Sequence, residues 1–85
     1  MPHRKLFLQQ NSLLLVTCSQ PAMVLLMDER NYHSYNDGDG ASYFGGYFCN
    51  FPANIDIPLE GIWNVVIEPA HYQTGSKLTY SLNVQ

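Results

Sequence analysis

Leu26-Met27-Asp28-Glu29-Arg30-Asn31-Tyr32-His33-Ser34-Tyr35-Asn36-Asp37-Gly38-Asp39-Gly40-Ala41-Ser42-Tyr43-Phe44-Gly45-Gly46-Tyr47 is the stretch on which the reading of the fold turns. It leaves an apolar strand, crosses the most polar part of the chain and returns as an aromatic strand interrupted by two glycines. Asp28 can cap a short helical turn near residues 29–36, its carboxylate accepting backbone N–H bonds. One turn is the most this composition supports, with Tyr32 and Tyr35 at i and i+3 on a face laid against the edge of a sheet. Asn36-Asp37-Gly38-Asp39-Gly40 has to be loop. Adjacent glycines at 45 and 46 mark a bulge, a bend or a place where another backbone or a ligand comes close.

Outward from this stretch the pattern is of strands. His3 to Gln9 puts Leu6 and Leu8 on one face, and Ser12 to Ser19 carries apolar residues on both. After Gln20-Pro21, Ala22 to Met27 is apolar throughout and short, which reads as a central strand forming a hairpin with its predecessor. Downstream, Ala53, Ile55, Ile57 and Leu59 alternate with polar residues and prolines; Trp63, Val65 and Ile67 mark the core face of Ile62 to Glu68. A loop over residues 70–76 leads to a final alternation of Leu78, Tyr80, Leu82 and Val84. The expectation is all-β: about seven short, mainly antiparallel strands in a sandwich or partly closed barrel, forming one domain over residues 1–85.

Composition narrows the function. With 46% hydrophobic and 13% charged residues the chain has to fold, and 85 residues make a small core that pairing as a homodimer would help. Arg4, Arg30, Lys5 and Lys77 are its only cations and the net charge is -3, so no basic stripe is available for a nucleic-acid duplex. The apolar run from Leu6 is broken by Gln9-Gln10-Asn11-Ser12 and by Gln20-Pro21, which argues against a membrane span and against a secretory signal. A cytoplasmic protein with Cys18 and Cys49 reduced, each among apolar neighbours, is the resulting expectation.

No motif for covalent or metal chemistry stands out. Aligning Asp37-Gly38-Asp39-Gly40 with a calcium loop puts Tyr35 and Gly46 where the first and last acidic ligands belong. His3, His33 and His71 lack a ligand spacing and read as exposed, unspecialised histidines; neither cysteine has a CxxC partner. A carboxylate pair such as Asp28 with Asp56 could be assembled only by the fold, and no nucleophile elbow is present. Catalytic residues, cofactors and metals are therefore not expected, and a small hydrolase ranks last among the functions considered.

The order and spacing of Val24-Leu25-Leu26-Met27-Asp28, Asn31-Tyr32, Tyr35, Gly38, Tyr43, Gly45-Gly46, Ile55-Asp56-Ile57-Pro58, Gly61 and Trp63-Asn64-Val65-Val66-Ile67 resemble the bacterial domain-of-unknown-function (DUF) 1883 family over most of the chain. The resemblance implies a sandwich-like β domain, found alone or beside a TIR signalling domain, with no established activity. This chain departs from the family where Asp37-Gly38-Asp39-Gly40 replaces a basic loop, where Ile62 replaces a histidine, and in Glu68-Pro69-Ala70-His71-Tyr72, which stands in for a glycine-rich loop.

The leading expectation is a binding or interaction module linked to TIR-type immune signalling. Its surface is centred on Asn31, Tyr32, Tyr35, Tyr43, Gly45, Gly46 and Tyr47, with tyrosines reaching solvent more readily than phenylalanines. Its partner is a protein or a small polar ligand. The alternative is a nucleotide-signal binder or sponge, dimeric, with Tyr32, Tyr35 and Tyr43 stacking on the ligand.

Overall fold

In the computed structural model, which describes residues 2–70 and 77–85, seven strands and one helix follow the order expected from the sequence. They are β1 (His3–Leu8), β2 (Leu13–Cys18), β3 (Ala22–Asp28), α1 (Glu29–Asn36), β4 (Phe44–Phe48), β5 (Ala53–Asp56), β6 (Gly61–Pro69) and β7 (Tyr80–Val84). The strands form two antiparallel sheets, ordered β1-β6-β3-β4 and β5-β2-β7, that pack face to face without closing into a barrel. Inward-facing residues alternate along each strand. Leu14 and Val16 from the smaller sheet meet Val24, Leu26, Val65 and Ile67 from the larger one, all buried. Each such aliphatic side chain contributes about 1.5–3 kcal/mol by leaving water. Trp63 closes the inner layer, with its indole N–H on the Leu59 carbonyl at 2.9 Å and its ring edge-on to Phe44 at 5.9 Å.

Several expectations are corrected. β2 and β3 do not form a hairpin; the chain crosses from one sheet to the other at Gln20-Pro21. β2 buries one face alone, with Thr17 exposed, whereas β3 buries Val24 and Leu26 inward and Leu25 and Met27 outward. A strand apolar on both faces needs cover on both, and α1 supplies it on the outside of the larger sheet. Leu59 is exposed because it lies in the turn beyond β5, and Val84 is exposed at the end of an edge strand. Cys18 is buried as expected, but Cys49 is exposed in the β4–β5 connection. The expected loop over residues 70–76 lies, beyond Ala70, outside the described residues.

The helix lies where expected, but it takes in Asn36, expected in the loop, and its eight residues make a little over two turns rather than one. Its length comes from both ends being capped. At the start, Asp28 Oδ1 accepts the Asn31 N–H at 2.8 Å. At the end, Gly38 takes φ +77° and donates its N–H to the Tyr35 carbonyl at 3.2 Å, while the Asp39 N–H reaches the Ser34 carbonyl at 3.0 Å. That pair of bonds is a Schellman cap, which needs glycine at its left-handed position. The Asp37-Gly38-Asp39 run thus terminates a helix. Tyr32 and Tyr35 pack over Leu25, Met27 and Val66 on the two central strands, not against the sheet edge.

Candidate functional site

Two surfaces of the larger sheet hold the residues singled out by sequence. One is the seam between α1 and the outer face of β1, β3 and β6. The β1–β6 register puts His3 opposite Val66 and Lys5 opposite Asn64, so that both β1 side chains flank the outer row of β6. Asn64 is fully buried there and bonded at both ends of its amide. Its Nδ2 donates to Glu29 Oε1 at 2.7 Å, and its Oδ1 lies 2.8 Å from His3 Nε2. The geometry suits the His3 tautomer with its proton on Nε2, because Nδ1 then accepts from the Tyr32 hydroxyl at 3.2 Å. The His3 and Tyr32 rings also stack at 4.3 Å. Lys5 Nζ donates to the other Glu29 oxygen at 3.0 Å, and the Tyr35 hydroxyl donates to Glu68. Every buried polar side chain among the described residues has a partner.

This network acts on Glu29. The Asn64 amide first, and the Lys5 ammonium next, hold its carboxyl below the ordinary glutamate range by hydrogen-bonding the ionised form. A carboxylate with a depressed folded pKa stabilises the fold above the ordinary range, and that contribution is lost as pH falls through the depressed value. The advantage of the wild type over Glu29→Gln in thermal unfolding midpoint is therefore expected at neutral pH, to shrink as pH falls below the ordinary glutamate range and to vanish below the depressed value. A difference independent of pH would contradict the network.

The second surface is β4 and its approach. Asn31 positions it: its Nδ2 donates to Asp28 at 3.0 Å and its Oδ1 accepts the Ser42 N–H at 3.0 Å, tying the helix start to the segment entering β4. β4 pairs with β3 from Leu26↔Phe44 to Ala22↔Phe48 without a bulge. Its other side is a free edge among the described strands. Tyr43, Phe44 and Tyr47 are 46%, 49% and 56% exposed, the rest of each ring resting on the domain. Gly45, at φ +107°, sits where a Cβ would come within 2.2 Å of the Val24 carbonyl oxygen, so the close approach marked by the glycine pair is that of the neighbouring strand.

The sequence-selected residues therefore divide. Asn31, Tyr32 and Tyr35 are half-buried and committed to bonds within the domain, while Tyr43 and Tyr47 stand in solvent beside Gly45 and Gly46. Phe44 reaches water as far as Tyr43 does, against the expectation that tyrosines would lead. His3 is not unspecialised, being held by Asn64 and Tyr32. Sequence reasoning missed His3, Lys5, Glu29, Asn64 and Glu68 as a set. One signal was available: Asn64 is the single polar residue in Ile62-Trp63-Asn64-Val65-Val66-Ile67, a run apolar on both faces.

Asp28 and Asp56 lie on different sheets and form no pair. Asp37 and Asp39 are exposed, and among the described residues no three His, Cys, Asp or Glu side chains converge as a metal site. Burial pushes the Cys18 thiol up, away from the reactive thiolate form. A cavity of about 370 Å³ opens between β1 and the end of β7, lined by Leu6, Phe7, Leu8, Gln9, Ser12, Val84 and Gln85. Another of about 250 Å³ is lined by Thr17, Cys18, Ser19, Thr79, Tyr80 and Ser81. Neither touches the aromatic residues of α1 and β4. No helix among the described residues is long and apolar enough to cross a membrane.

Comparison with curated proteins and with solved structures returned no match. A family model, described as domain of unknown function (DUF1883), matches residues 2–82. That match takes in the first six strands, the helix and three of the five residues of β7, and it agrees with the order of motifs from Val24 to Ile67. The chain belongs to the DUF1883 family.

Proposed function

We propose that this domain is a non-enzymatic binding module that engages a protein partner through the surface between Asn31 and Tyr47, with Tyr43 and Tyr47 as its principal contacts. The observation that carries this reading is the exposure of Tyr47 on a free edge strand and of Tyr43 just before it, with Phe44 half-exposed on the opposite face of the sheet. Large aromatic rings standing in water at one place are costly for a small domain and are enriched where partners bind. The bonds that hold α1 to Asn64 and to Ser42 support the same reading, since they fix the helix and the approach to β4 in one arrangement and so limit the entropy lost on binding. Association of the family with TIR domains, implied by the resemblance, points to a partner in bacterial immune signalling.

A pull-down with tagged wild type and with the Tyr43→Ala, Tyr47→Ala double variant tests the reading. Both side chains are half-exposed, so the double variant is expected to keep the wild-type circular dichroism and unfolding midpoint within a few degrees. Partner recovery is expected to fall at least ~tenfold, as truncation of interface aromatics does. Full recovery by a folded double variant would overturn the proposed surface.

A further inference from the structure

Each sheet of the sandwich ends in two edge strands, and two of the four carry features that discourage pairing with another chain. β1 displays Arg4 and Lys5, which would face their own copies across a two-fold axis. β5 has four residues, ends in Asp56 and lies between Pro52 and Pro58. β7 is also free of charge and proline, but it turns Ser81 and Asn83 outward and holds Tyr80 and Leu82 half-buried against the core, so it presents no exposed aromatic ring. β4 joins that lack of charge and proline in Phe44-Gly45-Gly46-Tyr47-Phe48 to exposed rings at Phe44 and Tyr47, and the uncharged run extends from Gly40 to Ile55. Such an edge invites strand addition, and alternate residues of it point both N–H and C=O at the open side.

We infer that the occupant of this edge is a second copy of the chain, whose β4 pairs antiparallel with β4 about a two-fold axis at Gly46 and joins the two four-stranded sheets into one of eight. The inference rests on the β4 surface of the reading above and names one partner for it. Charge permits a copy of itself, since no like charges meet when two uncharged segments of the same sequence approach. Register is set by side-chain fit. Centring on Gly46 places Gly45 opposite the second copy's Tyr47, where the missing side chain leaves room for the ring to lie over the strand, and the same contact recurs across the axis. Phe44 then stands opposite the second copy's Phe48 on the inner face. The half-exposed rings of Tyr43, Phe44 and Tyr47 offer about 100 Å² each, so complete burial of all six rings with two strand edges would only just reach the roughly 1,000 Å² at which specific interfaces begin. The dimer is accordingly concentration-dependent, and a partner strand competes with the second copy for the edge.

Light scattering across concentration tests this. At ~100 µM the wild type is expected at twice its 9.7 kDa chain mass, and Tyr47→Lys at the chain mass with unchanged circular dichroism. The register gives an independent readout that needs no loss of stability. It sets position 43 opposite the second copy's Cys49, one residue beyond the strand at either end, where a ladder continued by one pair brings the Cα atoms to about 4.5–5.5 Å, which a disulfide can span. The Tyr43→Cys variant is expected to form a covalent dimer on mild oxidation, and the Tyr43→Cys, Cys49→Ser double variant is not. A wild type at the chain mass at every concentration, with no covalent dimer from Tyr43→Cys, would overturn self-pairing. The module reading has its own readout, since it fails if partner capture survives Tyr43→Ala, Tyr47→Ala whatever the mass.

Discussion

The Gly45→Ala substitution is expected to destabilise the domain by on the order of 3 kcal/mol or more, combining backbone strain and a clash. At φ +107° an alanine is held in a region that L side chains rarely adopt, and its Cβ would sit 2.2 Å from the Val24 carbonyl oxygen. That oxygen belongs to the main chain of a central strand, so the clash is relieved only by moving β3 or peeling β4 from it. For a domain of this size such a loss lowers the unfolding midpoint by roughly 12 °C or more, which differential scanning calorimetry reads directly. Gly46→Ala is the internal comparison: its φ is +144°, but nothing lies within 4 Å of the added carbon. It pays the strain without the collision and is expected to cost distinctly less. Equal losses at both positions would contradict the close approach at Gly45.

The Asn64→Asp substitution is expected to be of similar size and to depend on pH in a direction that identifies its cause. It exchanges the amide N–H that donates to Glu29 at 2.7 Å for a carboxylate oxygen, at a site with no solvent exposure. Two carboxylates then face each other and one is buried; breaking a buried polar pairing in this way costs about 3–5 kcal/mol. Burial and the like charge raise the new carboxyl's pKa in the folded state above its unfolded value. The penalty is therefore absent in acid, below the unfolded value, and grows as pH rises to neutrality. Urea denaturation at pH ~3.5 and pH 7 is expected to show the variant near wild type at the lower pH and well below it at the higher. An equal deficit at both would mean that packing, and not charge, explains the loss.

These two sites mark the boundary of what could be read from residues in order. Gly45-Gly46 is visible in the sequence as an interruption in an aromatic strand, and close approach of another backbone is one of the meanings it allows. Which backbone, and which glycine of the pair, follows from the β3–β4 register alone. Asn64 is visible as a polar residue in an apolar run, but its partners are 35 and 61 residues away in sequence. No local pattern announces contacts at that range. The functional surface divides in the same way. Tyr32, Tyr35, Tyr43 and Tyr47 are alike in composition, yet the helix turns the first two onto Leu25, Met27 and Val66 while the free edge leaves the others in water.

By itself the sequence determined the strand-rich class, the place of the helix after Asp28 and the family. Alternation, capping residues and turn formers act over a few residues, and their signals survive without the rest of the fold. The tertiary structure alone decided that β2 and β3 belong to different sheets, that α1 runs for two turns across the central strands, and that β4 is left as an edge. Each of these depends on which apolar face finds a partner elsewhere in the chain. In an 85-residue sandwich that choice is made by long-range pairing, because the local energies of the competing arrangements differ too little to make it.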